Sequence, residues 1–416
     1  MGYAYLQRIL RWFHPPQSQA KKDQSTMTDT SGKRLVAIDI LRGLIIILMA
    51  LDHTRDFWGF AGFSPTDLSQ TYPALFFTRW LTHFCAPLFI FLTGVSAFLY
   101  GQQVQSKSQL RNFLLSRGLW LVIVELVIIN PSWQFGYNMV FVQVIWVIGI
   151  SMIIMAGLIY LPTRWILLLC MPFVLFHNLL DDSAVSSLLG DSSWLWMIIH
   201  QRGGFKFSEQ GLFIFVAYPL IPWFAVMAGG YVMGQYYLKP AATRQTALFA
   251  LGAGFIVMFI LLRASNIYGD PTSWQSGGDL TSSLLSFLNT TKYPPSLQFL
   301  LMTMGPGLIL LGLLDKLSSD SKIYPAFHWL KVIGSVPLFF YIVHVPLINL
   351  AAHLYTYIRY GQAINFFNPQ NVPAAYSPSL LLAYIVWATL IAVLYYPCKR
   401  YGQIKRQSKN PLFSYL

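Results

Sequence analysis

Charged residues are scarce in this sequence. Only 10% of its 416 residues are Asp, Glu, Lys or Arg, whereas 55% are hydrophobic and the mean hydropathy is +0.52. Since about a quarter of the residues in a typical soluble domain are charged, this composition excludes an ordinary soluble protein. The formal net charge of +13 falls mostly between apolar runs, where it sets topology rather than attracting nucleic acid. The sequence therefore predicts an all-α, polytopic membrane protein that binds no nucleic acid.

Cysteine is also rare. Cys85, Cys170 and Cys398 each fall within or at the end of an apolar run, and none has a second Cys or a His at the spacing of a metal site. We therefore expect no disulfide framework and no bound metal. The start of the chain lacks the continuous apolar core of a cleavable signal, so the first apolar run is expected to remain as a membrane anchor.

Long apolar runs are abundant. Ten are long enough to cross a bilayer with some tilt, and we expect about ten transmembrane helices in one bundle. They cover 35–54, 79–100, 111–130, 139–160, 163–181, 212–237, 245–264, 295–314, 329–351 and 378–397. The membrane domain is predicted over 34–398. It follows a cytoplasmic tail over 1–33, with an interfacial helix at 3–13 and a linker at 14–32, and precedes a basic cytoplasmic tail over 399–416.

The distribution of Lys and Arg predicts the orientation. With the N-terminus in the cytoplasm, twenty of the 28 Lys and Arg residues fall on the cytoplasmic side and seven on the outer side, as the positive-inside rule requires. Both termini are then cytoplasmic. The longer connections all lie on the outer face, which favours an outward-facing substrate pocket. These connections are 55–78, 182–211, 265–294 and 352–377.

The first span carries an unusual pair of polar residues, Arg42 and His53. A charged side chain at mid-membrane costs roughly 2.5 kcal/mol or more, so such residues usually have a partner or a task. Eleven helical steps bring the two to within about 20° of one face, about 16 Å apart along the axis. Asp39 lies about 60° to one side of Arg42 and Asp56 about 40° to the other. The helix therefore carries a polar stripe along most of the membrane's depth.

Other spans contribute polar residues at the predicted depth of His53. In the predicted topology their outer halves carry ionisable or amide side chains, which an acid/base site requires. These residues are Arg79, His83, Glu125, Gln143 and His344. Histidine suits proton transfer because its unperturbed pKa is about 6.5. We therefore predict an acid/base site at the outer end of the bundle.

The catalytic candidates in this layer are His53, His83, Asp52 and Asp56. Asp56 follows His53 by three residues and is placed to fix the tautomer of its imidazole. Asp52 points about 100° away from His53 and is placed to meet Arg79 or His83. The remaining members of the layer are expected on the acceptor side of the site.

Structural roles compete with these assignments. Asp39 and Arg42 would also suit an ion pair near the inner interface, and Arg79 an interfacial anchor. Glu125 would suit packing within the bundle. A second class of function, a proton-coupled transporter or exporter of a sugar or small metabolite, would use Asp39, Arg42, His53 and Glu125 as a relay.

Five segments resemble a known family. The segment RLVAIDILRGLIIILMALDHTRDF (34–57) is similar to the opening of the transmembrane acyltransferase superfamily, in which an Asp-x-x-Arg-Gly-like motif begins the first helix and a His follows eleven residues after the Arg. The others are TRWLTHFCAPLFIFLTG (78–94), YPLIPWFAVMAGGYVMG (218–234), KYPPSLQFLLMTMGP (292–306) and VPLFFYIVHVPLI (336–348). The last contains a Tyr-x-x-His-x-Pro-Leu segment found in many of these acyltransferases. Together they resemble the branch of heparan-alpha-glucosaminide N-acetyltransferase and its bacterial relatives.

The resemblance implies that an acyl group, most simply acetyl, moves from cytoplasmic acyl-CoA to a sugar amine or hydroxyl on the outer side. Asp39 and Arg42 would then meet the donor or line a tunnel, and His53 would act as general base or transient acyl carrier. Basic residues on the cytoplasmic side would bind the CoA phosphates. These are Lys33, Arg34, Arg111 and Arg117. The implied location is a bacterial inner membrane, and the small and aromatic positions of the spans would also suit a homodimer.

The sequence departs from this branch at one position that matters. The lysosomal enzyme has Asn where this chain has His53, and its own histidine lies in the loop just beyond. Here the corresponding loop, WGFAGFSPTDLSQ (58–70), contains no histidine. The catalytic role is therefore expected at His53 or His83.

Overall fold

A computed structural model describes residues 28–181, 184–317, 322–364, 372–408 and 413. Sixteen α-helices occur within these residues. They are α1 (Thr28–Trp58), α2 (Pro73–Thr82), α3 (Cys85–Gly101), α4 (Lys107–Val124), α5 (Asn130–Gln134), α6 (Val144–Leu158), α7 (Thr163–Leu175), α8 (Ala184–Leu189), α9 (Ser193–Ile199), α10 (Trp223–Gly234), α11 (Ala241–Ser265), α12 (Leu280–Leu288), α13 (Leu297–Lys316), α14 (Tyr324–Gly334), α15 (Pro337–Tyr360) and α16 (Leu380–Gln407). A π-helical turn, Glu125–Ile129, joins α4 to α5. The predicted interfacial helix at 3–13 lies outside the described residues.

The prediction of an all-α, multi-pass membrane protein is confirmed. Six helical segments within the described residues are long and apolar enough to cross a membrane. They are Pro73–Gly101, Lys107–Gln134, Ala241–Ser265, Leu297–Lys316, Pro337–Tyr360 and Leu380–Gln407. The count of ten spans and the orientation of the termini stay predictions. α1 is longer than any of the six, but Asp39, Arg42 and Asp52 interrupt its apolar stretch.

Several helix boundaries differ from the sequence prediction. α1 begins at Thr28, inside the predicted linker, and α16 continues to Gln407, beyond the predicted domain end at 398. The predicted second span is divided near His83, and the predicted ninth is divided where Pro337 begins a new helix. A hydropathy window averages over such breaks because the residues on either side stay apolar.

α1 lies at the centre of the bundle. It packs against α2, α3, α13, α14, α15 and α16. The contact with α14 is backbone to backbone, since a Cβ added to Gly43 would overlap the Leu330 carbonyl and one added to Gly334 would overlap the Asp39 carbonyl. Glycine permits such close approach in membrane bundles, where packing rather than hydrophobic exclusion drives helix association. The polar stripe of α1 therefore faces protein on most sides.

A small sheet and an ordered loop lie beyond the C-terminal end of α1. The strands β1 (Met139–Val142), β2 (Gly203–Phe205) and β3 (Phe213–Val216) form a sheet in the order β1-β3-β2. β3 pairs in parallel with β1 and antiparallel with β2. The loop between α11 and α13 is held by the buried guanidinium of Arg263, which donates to the carbonyls of Thr272, Ser286, Phe287 and Asn289. These irregular segments form part of the site described next.

Candidate active site

A cavity of about 660 Å³ lies at the C-terminal end of α1. Its wall combines parts of α1, α2, α3, α5 and α15 with the connections before α2, α6, α10, α12 and α13. The histidines and charged side chains on this wall are Asp52, His53, Arg55, Asp56, Arg79, His83, Arg202 and Lys292. Gln143 and Tyr341 also line it. The cavity therefore gathers six of the residues that the sequence proposed for the site: Asp52, His53, Asp56, Arg79, His83 and Gln143.

The last two turns of α1 supply the carboxylates and one imidazole of this wall. Asp52 and Asp56 are four residues apart and share a helix face, while His53 follows Asp52 directly. The helix ends at Trp58, whose indole N–H donates to the Ile348 carbonyl at 3.2 Å. This bond ties the end of α1 to α15.

His53 contacts a second histidine from α15. Its Nδ1 lies 2.8 Å from Nε2 of His344, and the two rings are nearly parallel, with an interplanar angle of 12° and 5.1 Å between centroids. Trp133 meets the His53 ring edge-on at 4.8 Å, and Tyr341 does so at 5.9 Å. The imidazole is therefore held on three sides while it borders the cavity.

Asp52 is the centre of a buried ion network. It accepts a hydrogen bond from Arg79 and lies 3.0 Å from the guanidinium of Arg55. Asp56 accepts from Arg55 at 2.5 Å. The expected contact of Asp52 with Arg79 is thus present. The expectation that Asp56 fixes the His53 tautomer is wrong, because Asp56 is bound to Arg55 and the Nδ1 of His53 faces His344.

His83 occupies the break between α2 and α3. Its backbone N–H bonds to the Trp80 carbonyl at 3.1 Å, and its ring lies 5.3 Å from that of Phe299. Within the described residues its buried Nδ1 has no hydrogen-bond partner. His83 therefore borders the same cavity as His53, without an equivalent imidazole contact.

Glu125 is placed differently from the sequence expectation. It is fully buried in the π-helical turn and is absent from the cavity wall. Its Oε2 accepts the backbone N–H groups of Ile145 and Trp146 at 3.1 and 3.2 Å. These groups belong to the first turn of α6, where a carboxylate is favoured by the unpaired amides and the helix dipole. The packing alternative describes Glu125 better than an acceptor-side role.

The other end of the polar stripe borders a second cavity of about 370 Å³. Arg42 donates to Asp39 at 3.2 Å and also to Ser96. Asp39 lines the cavity together with three cations that were not predicted as site residues. These are Lys331, Lys405 and Arg406. Of the predicted phosphate ligands, the side chains of Lys33 and Arg34 lie outside the described residues, and Arg111 is exposed beside Asn112.

Three cations of the larger cavity were not predicted from the sequence, Arg55 of the ion network and two that lie in the outer connections. Lys292 is buried, with its Nζ 5.2 Å from the centroid of the Tyr293 ring. Arg202 stands at 4.8 Å over the same ring and is exposed. Within the described residues neither side chain forms an ion pair. The only sequence signal was their place in the long outer connections, which carry no helical periodicity.

Fold and site together define an integral, multi-pass membrane protein with a polar cavity at the end of its central helix. The chain matches the family described as heparan-alpha-glucosaminide N-acetyltransferase, catalytic, over residues 34–268. The match covers more than half of the chain, which therefore belongs to this family of membrane acetyltransferases, as the resemblance predicted. It includes His53 and His83 but ends before Lys292 and His344. No curated protein matches the chain.

Proposed function

We propose that this protein transfers an acyl group, most simply acetyl, from acyl-CoA to an amine or hydroxyl of a saccharide. The observation that carries the proposal is an imidazole fixed on the wall of a large polar cavity, in a chain that belongs to an N-acetyltransferase family. The donor is proposed to bind from the cytoplasm and the acceptor from the outer side of the membrane.

His53 is the proposed general base. It takes the proton of the acceptor N–H or O–H as that atom attacks the thioester carbonyl carbon. The new C–N or C–O bond forms, the C–S bond breaks, and the imidazolium returns the proton to the leaving CoA thiolate. A two-step route in which His53 carries the acyl group uses the same residue, and trapping of acyl-enzyme would distinguish it from direct transfer.

The second cavity is the proposed site for the phosphates of the donor. Lys331, Lys405 and Arg406 supply cations that suit phosphate oxygens. Asp39 at this cavity and His53 at the other are fourteen residues apart, which is about 21 Å along α1. An elongated donor with its phosphates at one end and its thioester at the other fits that separation.

The rim of the larger cavity suits a saccharide. Hydroxyl and amide side chains from two loops line it, and aromatic rings offer apolar faces against which a sugar ring can pack. The polar rim residues are Ser64, Thr66, Thr272, Asn289, Thr290 and Thr291. Asn289 donates to the Thr66 carbonyl at 3.0 Å, which joins the two loops across the rim.

Acyl transfer is tested with purified protein, labelled acetyl-CoA and a set of amino-sugar acceptors. Labelled acceptor is expected to form, and to depend on both substrates. A useful comparison is substrate uptake into proteoliposomes without acyl-CoA. Uptake with no transfer to any acceptor would contradict the proposal and favour the transporter hypothesis.

The charge of the cavity predicts an acidic acceptor. Four cations, Arg55, Arg79, Arg202 and Lys292, face two carboxylates, Asp52 and Asp56, on its wall. A surplus of positive charge around one cavity favours an anionic ligand. We therefore expect glucosamine 6-phosphate or 6-sulfate to be a better acceptor than glucosamine.

Replacing Lys292 with glutamine is expected to remove most of that preference. KM for the acidic acceptor should rise about tenfold or more, the loss expected for one charge-assisted hydrogen bond, while KM for glucosamine changes little. Steady-state kinetics with both acceptors measure this. The matched control is Lys206→Gln. Lys206 is exposed in the connection between β2 and β3 and does not line the cavity. An equal KM change for both acceptors would argue against an acidic subsite.

A further inference from the structure

We infer that His344 is a positioning residue that fixes the tautomer of His53, so that the base is presented on Nε2. This inference rests on the proposed function, since it assigns a partner to the proposed base. The His344 imidazole does not line the cavity and therefore does not touch either substrate.

His344 is completely buried within the bundle. Its exposed fraction is 0%, and the rings of Phe340 and Tyr341 lie 5.2 and 5.3 Å from its own. A charged imidazole is costly in such surroundings, and no carboxylate of the described residues forms an ion pair with it. His344 is therefore expected to be neutral, with a proton on only one of its two ring nitrogens.

The hydrogen bond to the backbone decides which nitrogen of His344 is protonated. Its Nδ1 lies 3.0 Å from the carbonyl oxygen of Phe340, one helical turn earlier. A carbonyl oxygen only accepts, so Nδ1 must carry the proton and donate. In the neutral ring Nε2 is then an acceptor.

The tautomer of His344 in turn determines the tautomer of His53. Its Nδ1 lies 2.8 Å from Nε2 of His344, and since that nitrogen accepts, Nδ1 of His53 must donate. Neutral His53 is then protonated on Nδ1, and Nε2 holds the lone pair that a general base needs. In the opposite tautomer of His53, the lone pairs on its Nδ1 and on Nε2 of His344 would repel each other at 2.8 Å.

The pairing also favours the reacting state. When His53 takes the acceptor proton on Nε2, its Nδ1–H bond to His344 is retained and becomes charge-assisted, which strengthens it. The hydrogen bond to His344 and the edge contact with Trp133 limit rotation of His53. A chain of hydrogen bonds runs from the Phe340 carbonyl through His344 to His53. It leaves Nε2 of His53 free to take a proton.

The kinetic test compares His344→Leu with His344→Gln. Leucine removes the acceptor, and kcat is expected to fall about 10- to 100-fold or more, as when other functional histidines lose the group that orients them. KM for both substrates should stay near the wild-type value because the cavity wall is unchanged. The glutamine oxygen can accept from Nδ1 of His53, so His344→Gln should recover most of the lost kcat.

His353 on the same helix provides the matched control. Its Nδ1 also lies close to the carbonyl four residues earlier, that of Asn349, at 2.9 Å, and it does not line the cavity. His353→Leu is expected to keep wild-type kcat. Wild-type kcat in His344→Leu, or a His344→Gln variant no better than leucine, would overturn the inference. An equal loss in His353→Leu would do so too, since it would indicate general disturbance of α15.

Nitrogen NMR of the wild-type protein tests the tautomer even if no acyl transfer is found. In protein labelled with ¹⁵N-histidine, the signals absent from His53→Gln identify the His53 ring. Protonated Nδ1 and unprotonated Nε2 are the expected result. The reverse assignment would overturn the inference, whereas absence of transfer with the expected assignment would count against the proposed function alone.

Discussion

Replacing His53 with glutamine is expected to lower kcat for acyl transfer by about 10²- to 10⁴-fold, the usual contribution of a general base. Glutamine retains a polar side chain of similar length but cannot take a proton near neutral pH. His53 is partly exposed to the cavity rather than sealed in the core, so the protein should still fold. Transfer of labelled acetyl measures the effect, and size-exclusion behaviour and thermal unfolding in detergent check the fold.

His83→Gln is the informative comparison for this result. Both histidines border one cavity, but only His53 among them bonds to another imidazole. A smaller loss is therefore expected in His83→Gln than in His53→Gln. Full activity in His53→Gln together with loss in His83→Gln would move the proposed base to His83.

The sequence was sufficient to predict that polar residues of several spans meet at one end of the bundle. Apolar run lengths indicate roughly where each span lies, and the bias of Lys and Arg predicts its direction. Depth then follows for any residue, which is why His53, His83 and Arg79 were expected at one level. The structure places all three on one cavity wall.

The sequence was not sufficient to predict the partner of His53 on another helix. His53 and His344 are 291 positions apart, and their contact depends on how α1 and α15 are rotated against each other. Angular counting along one helix placed Asp56 near His53, but it ignored Arg55, whose guanidinium lies within hydrogen-bond distance of Asp56. Local spacing lists neighbours on a helix surface, whereas packing decides which of them pair.

The conformation of the loops could not be predicted from the sequence, for a different reason. Arg202 approaches Tyr293 because irregular segments fold over the end of the bundle. No periodic pattern encodes such a path, and hydrogen bonds such as those of Arg263 to four loop carbonyls become visible only in three dimensions. The acceptor side of a site of this kind is therefore the part least predictable from sequence.

Replacing Asp52 with alanine is expected to destabilise the protein by about 3–5 kcal/mol, the cost of leaving a buried charge without its partner. Asp52 is 7% exposed and contacts the guanidinium groups of both Arg55 and Arg79, which are themselves largely buried. Within the described residues, its loss leaves Arg79 without a carboxylate and Arg55 with Asp56 alone. Thermal unfolding in detergent and the yield of folded protein measure the effect.

Asp56→Ala is the matched control on the same helix. The Asp56 side chain is 46% exposed and contacts one guanidinium, so its removal is expected to cost less than about 1 kcal/mol. Adding Arg79→Met to Asp52→Ala should recover part of the lost stability, because it removes the guanidinium charge left without its carboxylate. The two effects are expected to be non-additive because the two residues are in direct contact. A loss of less than about 1 kcal/mol in Asp52→Ala, with no recovery in the double variant, would show that the network does not stabilise this end of α1. The cations of the wall would then have to be balanced by substrate or solvent rather than by Asp52.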